Sequence, residues 1–207
     1  MSYSKKQITK AGETLRQLAA GGPALLLDSE AQAVVYWWVN SHSDAIDPIK
    51  KAVAMVQPVL GDAFLNDTYR LKEIRRIADK LRREPGMELP RMHDIIGARV
   101  VLRTRENVYR ASELLNKLLN IKKVYDYVSA PKPSGYRAIH LTACIPTLLG
   151  DRIAEIQLRT QLQQEWAAAV ETEEYRLGQP LKASQGDQEL LQYFVQLGQE
   201  YADREPE

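Results

Sequence analysis

Apolar positions along this chain follow a helical period first and an alternating one later. Residues from about Ser4 to Ala20 read as a short helix that Gly21-Gly22-Pro23 breaks, since neither residue type continues a helical ladder cheaply. A second helix is expected from Ser29, a suitable N-cap, to about His42, and a third from Asp47-Pro48, where proline is tolerated in the first turn. Over Asn66 to Arg83 the spacing of Leu71, Ile74, Ala78 and Leu81 predicts one helix with a buried stripe. Lys72, Arg76, Lys80 and Arg83 then fall on its opposite side.

Beyond Pro85-Gly86 the pattern changes. Ile95 to Leu102, Lys122 to Ser129, Tyr136 to Ile145 and Arg152 to Leu158 read as strands. Glu106 to Leu119, Gln161 to Tyr175 and Gln188 to Ala202 read as helices. This mixture predicts an α+β fold, a mixed β-sheet flanked by helices with helical segments at both ends. In the last strand Ala154, Ile156 and Leu158 share one face, while Ile153, Glu155 and Gln157 share the other.

Composition narrows the class. A chain of 207 residues with 44% apolar and 27% charged residues is ordinary for a globular protein with a real core. The net charge of +1 conceals a local imbalance. Arg70 to Arg83 holds seven basic residues against two acids, and the stretch from Asp187 onward holds six acids against one arginine. The basic stretch suits phosphates; the acidic one solvates a helix or repels nucleic acid. A single cysteine, Cys144, excludes an internal disulfide framework and reads as a buried strand residue. No apolar run is long enough to span a bilayer and the N-terminus lacks a signal-peptide core, so a cytoplasmic location without membrane attachment is expected. The Trp37-Trp38 pair is expected to pack.

Three fragments carry the chemistry: DIIGAR (Asp94 to Arg99), PKPSGYRAIH (Pro131 to His140) and AEIQLRT (Ala154 to Thr160). Asp94 precedes one strand beside Gly97, whose missing side chain lets a ligand approach, and Glu155 projects from another. Two carboxylates with waters and phosphate oxygens suit Mg²⁺. The basic side chains from Lys72 onward then become a candidate triphosphate clamp. Pro131 to Tyr136 is a turn by its proline and glycine content, and it delivers Tyr136, near Lys132, to a strand edge. A tyrosine there either stacks a base through its π face or packs over the turn.

The ordered set Arg70-x-Lys72, Lys80, DIIGAR, DYVSAPKPSGYRAIH and AEIQLRT resembles the synthetase domain of RelA/SpoT-type alarmone synthetases, over about Tyr69 to Arg176. The resemblance implies a nucleotidyltransferase-like sheet and transfer of the β,γ-pyrophosphate of ATP to a ribose 3′-hydroxyl with release of AMP. It implies an N-terminal helical segment (1–60) on a synthetase domain (61–207) with C-terminal helices and no hydrolase domain. It places Arg70 and Arg99 about the adenine and Lys72 and Lys80 on the ATP phosphates, while Arg76, from the basic face, is a further ATP-binding candidate. Mg²⁺ falls to Asp94 and Glu155, with Glu155 also a candidate base and Gln157 a supporting hydrogen-bonding residue. Lys132, Ser134, Gly135, Tyr136 and His140 would bind the acceptor.

The chain is also similar to toxic small alarmone synthetases of toxin–antitoxin and phage-defence systems, through YSKKQITKAGETL, RTQLQQEWAAAVET and LKASQGD. That similarity implies growth inhibition, an antitoxin partner, and an acceptor that is the tRNA 3′ end or a guanosine or adenosine nucleotide. Ser134 stands where guanosine-using relatives carry Asn, which favours tRNA. Arg76, Gln164 and Val39 stand where the family carries Ser, His and Arg. Two other classes are weighed: an RNA-binding module, which the small net charge disfavours, and a catalytically silent nucleotide-sensing regulator, which retention of Asp94 and Glu155 disfavours.

Overall fold

The computed structural model describes residues 2–17, 29–181 and 184–205. In chain order the elements are α1 (Lys5–Gln17), α2 (Ser29–Asn40), α3 (Ile46–Leu60), β1 (Phe64–Leu71), α4 (Ile74–Arg83), β2 (Ile96–Leu102) and α5 (Arg105–Leu118). There follow β3 (Ile121–Asp126), β4 (Ile139–Ile145), β5 (Arg152–Thr160), α6 (Gln161–Leu177) and α7 (Gln188–Arg204). The strands form one mixed five-stranded sheet in the order β1-β2-β5-β4-β3, flanked by helices, as the alternation of periods predicts. The expected break at Gly21-Gly22-Pro23 lies outside the described residues.

One expectation is overturned. Asn66 to Leu71 is not the start of a helix but most of strand β1, and the helix begins only at Ile74. Asp67, Tyr69 and Leu71 are half-buried while Thr68 and Arg70 are exposed, a period of two imposed by the sheet edge. Tertiary pairing has overridden a helical reading built on Leu71 and Ile74. The buried stripe of α4 is Ile77, Ala78 and Leu81. Lys72 is therefore not on the basic helix face; it lies in the β1–α4 link, where its N–H donates to the Ile95 carbonyl at 2.8 Å.

The chain divides into two compact units, one of Met1–Ile49, Tyr69–Gly97 and Cys144–Glu155, the other of Lys50–Thr68, Ala98–Ala143 and Ile156–Glu207. The first is built on Ile8, Ala11 and Leu15 of α1, Val34, Val35 and Val39 of α2, and Ile77 and Leu81 of α4. Gly12 is required there, because a Cβ would sit 2.7 Å from that of Leu89. Trp37 and Trp38 pack against this core, as expected of them, and Trp38 also stacks edge-on with His42 at 4.7 Å. In the second unit α6 and α7 enclose Trp166, Val170 and Phe194 together with Tyr136. Thr160 starts α6 with a complete capping box to Gln163, and Gly178 ends it at φ +67°. Cys144 is buried, as its strand alternation predicts.

Candidate active site

In the first unit the β1–α4 link and α4 deliver two ammonium groups to one carboxylate. Lys72 Nζ donates to Asp94 Oδ2 at 2.5 Å and Lys80 Nζ to Oδ1 at 3.0 Å. All three side chains are about a fifth exposed or less. Burial works against the charge of Asp94, yet Lys72 and Lys80 outweigh it and hold its carboxyl below the ordinary carboxylate range. Arg70 is exposed on β1, and its side chain runs over Gly97, where an added Cβ would lie 3.8 Å from the Arg70 Cγ. What approaches Gly97 here is that arginine. Glu155 is half-buried on β5, with Ala154 and Ile156 buried beside it, so the two faces of the strand divide as their alternation predicts. Arg76 is exposed on α4 and the structure does not bring it to Asp94.

Asp94 and Glu155 are carboxylates, the donor chemistry that Mg²⁺ takes. That ion takes one or two protein carboxylates and completes its shell with water and substrate phosphate. No group of three or more acidic, His or Cys side chains that could hold a metal occurs among the described residues. With both Asp94 oxygens on ammonium groups, an ion binding there would take the place of a lysine and release its charge towards phosphate.

The second unit carries the acceptor candidates on the β3–β4 connection. Asp126 opens it by accepting from the N–H groups of Val128 at 2.9 Å and Ser129 at 3.0 Å. Gly135, at φ +87°, closes the turn by donating to the Lys132 carbonyl at 2.9 Å. A Cβ on Gly135 would lie 3.1 Å from the Phe194 carbonyl oxygen, so α7 backs this turn directly. Arg137 reinforces it, donating to the Val128 carbonyl and to Gln199 of α7, both at 3.1 Å.

Tyr136 packs inward and is only 6% exposed. Its hydroxyl sits 2.5 Å from His140 Nε2 and accepts from Arg159 Nη2 at 2.6 Å. Its ring meets Tyr127, His140 and Trp166 edge-to-face, with Lys132 and Arg159 at 5.2 and 5.1 Å from its centroid. The turn is pinned to α7, so it carries the ring inward. Gln157 accepts from Arg159 at 2.6 Å. Ser134 Oγ is buried with no hydrogen-bond partner, an orphan polar atom in a turn that otherwise satisfies itself. Arg99 is half-buried on β2 in this same unit.

Sequence reasoning missed Arg159, which joins Tyr136, Gln157 and, at 3.1 Å, Gln164. A charged residue within the alternating apolar run of AEIQLRT was the available signal. Tyr127 and the Gly198–Gln199 surface of α7 were also missed; nothing local marks a helix glycine as the back wall of a distant turn.

Residues 69–178 match the family described as the region found in RelA / SpoT proteins. The chain is 35% identical over 120 residues to the GTP pyrophosphokinase YwaC of Bacillus subtilis, covering 52% of this chain and 57% of that protein. It is 32% identical over 117 residues to the GTP pyrophosphokinase YjbM of the same organism, covering 53% and 56%. The chain thus spans little more than half the length of these curated relatives. Among solved structures, the small alarmone synthetase 2 of B. subtilis superposes with a TM-score of 0.67 at 25% identity, over 78% of this chain and 88% of that one. The small alarmone synthetase 1 of B. subtilis, bound to its product pppGpp, shares the fold at TM-score 0.68 and 20% identity, over 82% and 93%.

Proposed function

The chain belongs to the RelA/SpoT family, and from that premise we propose that it is an ATP-dependent pyrophosphotransferase. It moves the β,γ-pyrophosphate of ATP to a ribose 3′-hydroxyl and releases AMP. The observation that carries this reading is the Lys72–Asp94–Lys80 cluster. It holds a carboxylate charged and two ammonium groups together before any phosphate arrives, in a chain whose curated relatives are named GTP pyrophosphokinases.

In this reading Lys72 and Lys80 pass from Asp94 to the ATP phosphates, where each ammonium stabilises charge on non-bridging oxygens. Arg76, exposed on α4, which also carries Lys80, meets the outer phosphates. Arg70 presents its guanidinium plane to adenine. Asp94 and Glu155 would hold Mg²⁺, which would supply charge neutralisation at the phosphate chain. The acceptor 3′-oxygen bonds to the β-phosphorus, the bond from that phosphorus to the α,β-bridging oxygen breaks, and the hydroxyl proton passes to Glu155. Catalysis of this kind is positioning and charge stabilisation. Lys132, Gly135, Tyr136 and His140 hold the acceptor, and the unpartnered Ser134 hydroxyl is free to bond its base.

The acceptor we propose is the 3′ end of tRNA, with growth inhibition as the outcome. Ser134 in place of the guanine-reading Asn supports it. A second reading, a free guanosine nucleotide, is favoured by the relatives named GTP pyrophosphokinases. Purified protein with γ-³²P-ATP, offered GDP, GTP, AMP, ADP and deacylated tRNA separately, decides between them. Label on tRNA alone upholds the first reading; label on GDP or GTP with none on tRNA at low salt replaces it with the second. If expression arrests growth, Asp94→Asn and Glu155→Gln each relieve the arrest; arrest by both variants would contradict an enzymatic cause.

A further inference from the structure

Tyr125 and Tyr127 stand two residues apart on one side of β3 and its continuation. Their rings lie parallel, with centroids 6.0 Å apart and planes within 5°. The inner ring, Tyr127, has the Lys132 ammonium 4.4 Å from its centroid and meets His140 at 5.2 Å and Tyr136 at 6.1 Å, edge-to-face. The outer ring, Tyr125, is 42% exposed. Tyr125 pairs with His140, and the exposed Lys123 with Thr142, in the antiparallel register of β3 on β4. The aromatic column therefore begins among the acceptor candidates and ends in an open tyrosine face with a lysine beside it.

An edge strand displays lysines and bulky side chains to protect its unpaired backbone, and that accounts for Lys122 and the 51% exposed Val124. It does not account for a parallel ring pair continuous with a cation and with Tyr136. Stacking faces interleaved with ammonium groups are the pattern that takes unpaired nucleic acid, bases on the rings and phosphates on the lysines. A mononucleotide that donates its own 3′-hydroxyl would end at the inner ring.

We propose that Tyr125 stacks the base of a second nucleotide, on the 5′ side of the accepting nucleoside. The chain can extend only in the 5′ direction, because the 3′-hydroxyl is the reacting group. This rests on the acceptor role assigned above to the β3–β4 connection, and it makes the substrate class the unpaired 3′ end of an RNA. Tyr127 and Lys132 position the junction between the two nucleotides, and Lys123 meets the phosphate beyond.

The test is fluorescence anisotropy of a 5′-fluorescein RNA tetranucleotide with the full chain, without ATP, and competition by GDP and AMP. Tyr125→Ala should weaken tetranucleotide binding by about ten- to a hundredfold, the loss of one stacked base. Tyr125→Trp should retain it, and mononucleotide competition should change by less than about threefold. Equal binding by wild type and Tyr125→Ala, no tetranucleotide binding by wild type, or equal weakening of both ligands would each overturn the proposal. Binding is read without turnover, so a failure of pyrophosphate transfer does not imitate a failure of the column. Conversely, transfer to GDP by a protein that binds no oligomer removes the column and leaves the enzyme.

Discussion

Asp94→Asn separates the two things that Asp94 does. The substitution keeps the shape and removes the charge that Lys72 and Lys80 share. The amide oxygen can still accept from one lysine, while the amide nitrogen faces the other as donor against donor. Hydrogen bonds to charged groups contribute about 1.5–3 kcal/mol each, and breaking a buried pair costs about 3–5 kcal/mol because a charge is left behind. These side chains retain 17–21% of their exposure, so solvent screens part of that cost. A loss of about 2–3 kcal/mol in unfolding free energy is therefore expected. Urea unfolding at pH 7 measures it, with Lys72→Met added as the second arm of a double-mutant cycle. Removing the stranded ammonium from Asp94→Asn should restore part of the loss. The carboxyl of Asp94 lies below its ordinary range when folded, so its contribution is complete above that range and disappears as pH falls through the folded value. Pyrophosphate transfer should fall by orders of magnitude in the single and the double variant alike, because the proposed metal ligand is absent from both. An unchanged urea midpoint for Asp94→Asn, or costs that simply add in the double variant, would refute the cluster as described.

Gly198→Ala tests the wall behind the turn that carries the acceptor candidates. Its Cβ would come within 2.9 Å of the Gly135 oxygen and 3.1 Å of Trp166 Nε1, so α7 must shift. We expect an overpacking cost of about 1–3 kcal/mol and a raised acceptor KM with unchanged ATP affinity; equal kinetics for both substrates would contradict that division. His42 tests the first unit: burial, opposed by its bond to the Trp38 carbonyl and aided by Arg152, lowers its pKa to about 4. Stability from the neutral ring should be whole above pH 6.5 and decline by about 3 kcal/mol as pH falls towards 4. His42→Asn should flatten that interval in a pH series of unfolding midpoints, and an identical slope would show that His42 stays neutral for no energetic gain.

The sheet and most helices were legible because their periods are long and bounded by caps, as at Thr160-x-x-Gln163. Asn66 to Leu71 was not, since Leu71 and Ile74 fit a helical stripe as well as they fit the end of a strand and the start of a helix. Only pairing at a sheet edge decides between them. The site showed the same split. Residue types singled out Asp94, Glu155, Lys72 and Lys80 as candidates, yet nothing in their spacing says that both lysines rest on Asp94. The PKPSGY turn was readable from its proline and glycine, whereas the burial of Tyr136 depends on α7, some sixty residues later in the chain. Arg159 completes that network through contacts with Gln157 and Gln164, which only the fold brings to it.

The proposed reaction moves a pyrophosphate unit, and not a single phosphate, from ATP. Parallel reactions with α-³²P-, β-³²P- and γ-³²P-ATP, each with the acceptor that labels in the panel above, measure it directly. The account predicts that β and γ labels both appear on the acceptor in equal amount, that the α label appears only in AMP, and that Asp94→Asn and Glu155→Gln abolish all three signals together. Transfer of the γ label alone, with the α and β labels found in ADP, would contradict it.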